Sequence, residues 1–254
     1  MENEAEKMTM FSPDRIIGPF RGKVTDFGGD IGLTSDFYPV PGSQVLCVLM
    51  PPWKAGADYY KFVRKRTYKA GYSCLEYKIV SSLLSPDYEY TRNAFKEVVD
   101  HVKIDIDRMV HQYSFKKVQV IGASIGCIEA AMIANHNPHV TKLVLVAPGN
   151  DLAEPMWYGL KTQNVRRLFE EQGITLPFLK ETWRDLAPEQ NFNGLKGKEI
   201  EIYISKCDIN IPYRFGKRLV DQMVAQGLNP HVNENKYLGH YLTVLKYLLT
   251  GEIR

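Results

Sequence analysis

The stretch Val120-Ile121-Gly122-Ala123-Ser124-Ile125-Gly126 decides the predicted fold, because it joins two segments of different hydrophobic pattern. Residues 117–121 predict a buried strand, and the small and apolar residues that follow the stretch predict a helix. A sharp turn from strand to helix leaves no room for Cβ atoms two positions before and after the serine. The Gly-x-Ser-x-Gly pattern therefore predicts that Ser124 stands on a strained turn above the end of a strand.

The composition indicates one ordinary globular domain. The 254 residues are 44% apolar and 24% charged, which is typical of a single large α/β domain spanning residues 1–254. A net charge of +3 is too small to favour a nucleic-acid partner. The sequence has no apolar run of about 18 residues that would predict a membrane span. We expect a cytoplasmic protein, because residues 1–12 look like a loose polar tail and the four cysteines form no C-x-x-C pair.

Strands and helices alternate along most of the chain. A first pair of strands is expected at residues 17–25 and 33–40. Further strands are predicted at residues 45–50, 74–80, 117–121, 143–147, 199–205 and 231–237, and helices at 58–70, 90–111, 213–226 and 241–249. Strands that alternate with helices pair in parallel through right-handed crossovers. The fold class is therefore predicted to be α/β, with a mostly parallel sheet flanked by helices.

The alternation stops between residues 149 and 191, where short helical fragments predict a small cap inserted within the domain. Its first fragment carries Met156, Trp157 and Tyr158, which are candidate substrate-binding residues. These side chains would suit an apolar acyl or alkyl group. They would equally suit the cap's own core, and the sequence leaves both interpretations open.

Two further residues have the positions that a serine nucleophile requires. A serine hydroxyl needs a base to take its proton, and the base needs a third group to fix its tautomer. Asp208 follows the strand at residues 199–205, and His240 follows the strand at residues 231–237, so both are expected at the same sheet edge as Ser124. Asp208 could instead be a turn-forming residue, and Asp151 is then the alternative acid. No other histidine follows a strand at this edge, so His240 is the predicted base.

Two backbone N–H groups are expected to form an oxyanion hole. Ile125 directly follows the serine and supplies the first. The second should come from the loop after the strand at residues 45–50, where Pro51 and Pro52 have no N–H, so Trp53 is the first available donor. Trp53 could also form a wall of the substrate pocket, and the two roles are compatible.

Together, Ser124, Asp208 and His240 in this order, on this alternation of strands and helices, resemble the α/β-hydrolase superfamily over residues 45–249. The resemblance implies an eight-stranded, mostly parallel sheet and a serine hydrolase of the esterase, lipase or thioesterase type. It implies neither a metal nor an organic cofactor. The chain departs from the common pattern at Pro51-Pro52-Trp53, where the superfamily usually has His-Gly.

The function expected from this resemblance is cleavage of a carboxylic ester or thioester of a small, partly apolar molecule through an acyl-serine. An acyltransferase or thioesterase would use the same three residues. A protein that keeps the fold only to bind a small molecule is the alternative of a different class.

Overall fold

The computed structural model describes residues 32–53, 59–79 and 83–251. The predicted tail at residues 1–12, the predicted strand at residues 17–25 and the turn that would follow it lie outside these ranges. Among the helices in the described ranges, none combines the length and the apolar character needed to cross a membrane.

A single sheet forms the centre of the described chain. Its strands are β1 (Leu33–Tyr38), β2 (Val45–Met50), β3 (Ser73–Ile79), β4 (Lys117–Ala123), β5 (Val140–Val146), β6 (Glu199–Ser205) and β7 (His231–Asn235). They lie in the order β1-β3-β2-β4-β5-β6-β7. Only β1 runs antiparallel to its neighbour in this sheet. The predicted α/β class is confirmed, but the described sheet has seven strands and not the eight expected. The strand predicted at residues 17–25 lies outside the described chain.

Helices cover both faces of the sheet. They are α1 (Lys61–Lys69), α2 (Tyr88–Tyr113), α3 (Gly126–His136), α4 (Ala153–Tyr158), α5 (Gln163–Glu171), α6 (Leu176–Thr182), α7 (Tyr213–Ala225) and α8 (His240–Thr250). Strand β2 shows how the faces divide: Leu46 and Val48 belong to the cluster that contains Phe95 of α2, and Leu49 belongs to the cluster that contains Tyr247 of α8. Because side chains alternate along a strand, a strand buried on both faces is apolar throughout.

The start of α2 shows how a capping residue sets a helix end that the apolar pattern misses. The helix begins at Tyr88, not at residue 90 as expected, because the Asp87 carboxylate accepts hydrogen bonds from the N–H groups of Glu89 and Tyr90. An aspartate N-cap satisfies amides that have no partner inside the helix. The cap signal was present in the sequence but lay outside the apolar pattern.

Residues 149–191, the predicted cap, contain α4, α5, α6 and short turns of 3₁₀ helix. The side chains of Phe169, Leu179 and Trp183 are buried in the same core cluster as one face of the sheet. The Trp183 indole N–H donates to the carbonyl oxygen of Tyr88 at 3.0 Å, which ties the segment to the start of α2. This packing is compatible with a cap inside one domain, which stays a prediction.

Candidate active site

The turn between β4 and α3 holds Ser124 in a strained conformation. Its φ of 55° lies in the left-handed region, which non-glycine residues rarely adopt. A Cβ on Gly126 would lie 2.6 Å from the carbonyl oxygen of Met50, and a Cβ on Gly122 would collide with the backbone of Gly126. The Ser124 N–H donates to the carbonyl oxygen of Val146 at 2.8 Å. Both glycines are therefore required by the close approach of β4, α3 and the end of β2.

His240 is the first residue of α8 and reaches back to this turn. Its Nε2 lies 3.0 Å from the Ser124 Oγ, although 116 positions separate the two residues in the chain. The imidazole is buried, and its ring meets the ring of Tyr241 edge-on at 5.5 Å. The distance between Oγ and Nε2 allows a proton to pass from the hydroxyl to the imidazole.

Asp208 contacts the other side of the same imidazole. One carboxylate oxygen, Oδ2, lies 2.7 Å from the His240 Nδ1. The second, Oδ1, accepts hydrogen bonds from the N–H groups of Asn210 at 2.9 Å and Ile211 at 2.8 Å. An Nδ1–H that donates to a carboxylate leaves Nε2 unprotonated and able to accept the serine proton.

The loops that carry Asp208 and His240 are joined to each other. The Ser205 hydroxyl donates to the carbonyl oxygen of Leu238. The Asn235 side-chain oxygen accepts hydrogen bonds from the N–H groups of Tyr237 and Leu238, both at 2.8 Å. These contacts hold the segment that leads into His240, and the sequence analysis did not predict them. An asparagine at the end of a strand was the available signal, since its side chain commonly bonds to the backbone two residues on.

Asp151, the alternative acid, has different partners. Its Oδ1 accepts a hydrogen bond from the Glu154 N–H at 2.7 Å, and its Oδ2 lies 3.5 Å from the Lys180 Nζ. Burial raises the pKa of the Asp151 carboxyl to about 6. The side chain borders the same cavity as Ser124, but Asp208 is the acid in contact with His240.

A cavity of about 300 Å³ opens beside Ser124 and His240. The described residues that line it come from six different parts of the chain: Pro52, Trp53, Tyr59, Leu84, Ser124, Ile125, Ile128, Gly149, Asp151, Leu152, Pro155, Met156, Gly159, Lys161, Thr162, Asn210, Ile211, His240, Tyr241 and Val244. Most of these residues are apolar, as is usual for pockets that bind small molecules. Because they are scattered along the sequence, no local pattern could have identified them as one surface.

Of the three cap residues expected at this cavity, only Met156 lines it. The Trp157 ring lies 5.2 Å from the Arg166 guanidinium, and Tyr158 stacks on Phe215 with ring centroids 6.1 Å apart. Successive residues of a helix point about 100° apart. Three consecutive side chains of α4 therefore cannot all face one cavity.

Ile125 and Trp53, the predicted oxyanion donors, both line the cavity. Ile125 precedes α3, where backbone N–H groups have no acceptor within the helix. The close approach of Gly126 to the carbonyl oxygens of Met50 and Pro51 brings the start of α3 against the end of β2, just before Trp53. The described residues contain no group of three histidine, cysteine, aspartate or glutamate side chains arranged to hold a metal ion.

No protein-family model matches the sequence, and no curated protein matches it significantly. Solved structures do match: the esterase Pf2001 of Pyrococcus furiosus is 17% identical with a TM-score of 0.60, over 84% of this chain and 79% of that chain. Esterase B from Lactobacillus Rhamnosis is 14% identical with a TM-score of 0.59, over 88% of this chain and 77% of that one.

A further match, the acylaminoacyl peptidase of Pyrococcus horikoshii, is 10% identical with a TM-score of 0.63, over 87% of this chain and 36% of that chain. At these identities the likeness concerns the fold. The protein therefore has the α/β-hydrolase fold.

Proposed function

We propose that the protein is a serine hydrolase that cleaves a carboxylic ester or thioester of a small, partly apolar molecule through an acyl-serine. The observation that carries the proposal is one line of contacts, from Ser124 Oγ to His240 Nε2 at 3.0 Å and from His240 Nδ1 to Asp208 Oδ2 at 2.7 Å. This line is the arrangement that activates a serine hydroxyl on several unrelated folds.

The reaction would proceed in two halves. His240 takes the hydroxyl proton while Ser124 Oγ attacks the carbonyl carbon, and the N–H groups of Ile125 and Trp53 stabilise the oxyanion. The bond to the leaving group then breaks, and His240 returns the proton to that group. Water attacks the acyl-serine with His240 again as base, the ester bond to Oγ breaks, and the proton returns to Ser124. Asp208 stabilises the imidazolium in both halves.

The apolar inner wall of the cavity supports the proposal that the acyl group of the substrate is apolar. The side chains of Ile128, Leu152, Met156 and Val244 line it, and each is at least 95% buried. An acyl chain placed against them would leave water, which favours binding by roughly 0.8 kcal/mol per buried CH₂. In this proposal residues 149–191 act as a cap within a single domain.

Covalent labelling tests the proposal. Wild-type protein should react with a fluorophosphonate probe and hydrolyse p-nitrophenyl esters, and Ser124→Ala should lose both by at least about 10³-fold. Ser114→Ala is the matched control, because Ser114 also has a left-handed φ, of 56°, but lies exposed at the end of α2. It should label like wild type.

A substrate panel then separates the alternatives. Butyryl esters, butyryl-CoA and a matching butyryl anilide distinguish ester, thioester and amide cleavage, and an added alcohol acceptor detects acyl transfer. A wild-type protein that neither labels nor hydrolyses any of these would contradict the proposal and favour a binding protein on the same fold.

A further inference from the structure

The cavity beside Ser124 has two chemically different parts. Its inner wall is apolar and buried. Its rim is open to solvent and includes Tyr241, which is 62% exposed, and the exposed Lys161 from the turn after α4. The Lys161 Nζ lies 6.0 Å from the centroid of the Tyr241 ring, and Tyr241 directly follows His240. A positive charge therefore stands at the rim on the side of the catalytic imidazole.

A close backbone contact places Lys161 there. A Cβ on Gly159 would lie 2.7 Å from the carbonyl oxygen of Asn210 and 2.5 Å from that of Pro155. Only glycine lets the chain after α4 approach the loop after β6 so closely. The same contact brings Lys161 and Asn210 to one cavity, where an ammonium and a side-chain amide can both donate hydrogen bonds.

The charge of Lys161 is not compensated by the rest of the described lining. Among the described residues no carboxylate forms an ion pair with Lys161. Outside the predicted triad, Asp151 is the other charged side chain among the described residues of the cavity. Its buried carboxylate lies 3.5 Å from the Lys180 Nζ and accepts a hydrogen bond from the Glu154 N–H. Asp151 therefore already has partners other than Lys161.

From this arrangement we infer that the substrate carries an anionic group, a carboxylate or a phosphate, on its leaving-group side, and that Lys161 at the rim binds it. The inference rests on the proposed hydrolase function. The apolar inner wall receives the acyl group, which leaves the alcohol or thiol portion at the rim. An anion there would pair with the Lys161 ammonium and accept a hydrogen bond from the Asn210 amide.

Two esters that differ in one charge test the inference. The quantity measured is the ratio of kcat/KM for 4-carboxyphenyl butyrate to that for 4-carbamoylphenyl butyrate. Comparing this ratio between variants cancels the different intrinsic reactivities of the esters. Lys161→Gln should lower the ratio about three- to fivefold, the size typical of a partly exposed charge pair. Lys161→Glu should lower it further, and Lys161→Arg should keep it.

Arg214→Gln is the matched control. The Arg214 guanidinium lies 4.7 Å from the Phe215 ring on the neighbouring surface, outside the described lining of the cavity. Removing its charge should leave the ratio unchanged. Added salt should lower the ratio of the wild type but not that of Lys161→Gln, since salt screens exposed charges.

The outcomes separate the two proposals. Ser124-dependent hydrolysis with the same ratio in Lys161→Gln as in wild type, or an equal fall in Arg214→Gln, would overturn the inference and leave the hydrolase intact. Should wild type neither label with the fluorophosphonate probe nor hydrolyse any substrate of the panel, including these two esters, the hydrolase proposal fails. NMR titration with 4-hydroxybenzoate and 4-hydroxybenzamide then decides the inference: tighter benzoate binding that Lys161→Gln abolishes supports it, and equal binding by both proteins contradicts it.

Discussion

Two loops at the same edge of the sheet each carry a buried aspartate, and they differ in what the carboxylate contacts. On the loop after β6, Asp208 places one oxygen on two backbone N–H groups and the other on His240. On the loop after β5, Asp151 is held by the Glu154 N–H and lies near Lys180. Both aspartates are less than 10% exposed, so burial alone does not distinguish their roles. The groups that each carboxylate contacts distinguish the two roles.

A third buried carboxylate extends the comparison. Glu129 lies on α3, five residues after Ser124, and is fully buried. Neither of its oxygens has a hydrogen-bond partner among the residues that the structure describes. Without a partner the charged form is penalised, and burial raises the pKa of Glu129 to about 8. Asp208, Asp151 and Glu129 thus form a series, from a carboxylate held by three hydrogen bonds to one that has no partner in the described part of the chain.

Among the three carboxylates, the largest expected effect is at Asp208. Asp208→Asn should lower kcat for ester hydrolysis by about 10⁴-fold, because an amide that donates to Nδ1 stabilises the wrong tautomer of His240. Steady-state kinetics on p-nitrophenyl butyrate measure the change, and circular dichroism verifies the fold. A loss of less than tenfold in a folded variant would mean that another carboxylate serves the imidazole.

Glu129 should give the next largest effect, on stability and not on chemistry. Its folded pKa lies above the ordinary value of 4.5, so its contribution to the free energy of unfolding is most favourable below pH 4.5 and is lost as pH rises towards about 8. Across that window the loss approaches about 1.4 kcal/mol per pH unit.

Glu129→Gln removes this dependence, and urea unfolding at pH 5, 6.5 and 8 measures it. The difference in stability between variant and wild type should increasingly favour the variant as pH rises. Parallel curves for the two proteins would show that Glu129 has a partner in solution.

The smallest expected effect sharpens the contrast between the two aspartates. Asp151→Asn should change kcat/KM by less than about threefold, because the carboxylate contacts Glu154 and Lys180 and not His240. Its pKa of about 6 means that the wild type loses stability relative to the variant between about pH 4 and pH 6. Steady-state kinetics and thermal unfolding at pH 4 and 7 test both statements. A drop in kcat as large as that of Asp208→Asn would show that the two aspartates do not differ in role.

Much of the backbone was predictable from local pattern. The apolar run at β2, the bounds of β6 and the glycines around Ser124 were read directly from the sequence, since side-chain periodicity and steric limits act within a few residues. The ends of strands and helices were predicted less accurately. Strand β5 was expected at residues 143–147 and spans Val140–Val146, because its pairing with β4 starts at Val118 and Val140, a contact between distant segments.

The sequence by itself determined the strand-turn-helix that holds Ser124 and the loops that bring Asp208 and His240 to the same edge, because the carboxyl ends of parallel strands share one side of a sheet. It favoured Asp208 as the acid and kept Asp151 as the alternative. Only the tertiary structure decided which carboxylate meets the imidazole, that Met156 and not Trp157 or Tyr158 lines the cavity, and that Lys161 stands at its rim. These contacts depend on packing between segments far apart in the chain, such as the close approach of Gly159 to Asn210. No local sequence pattern predicts them.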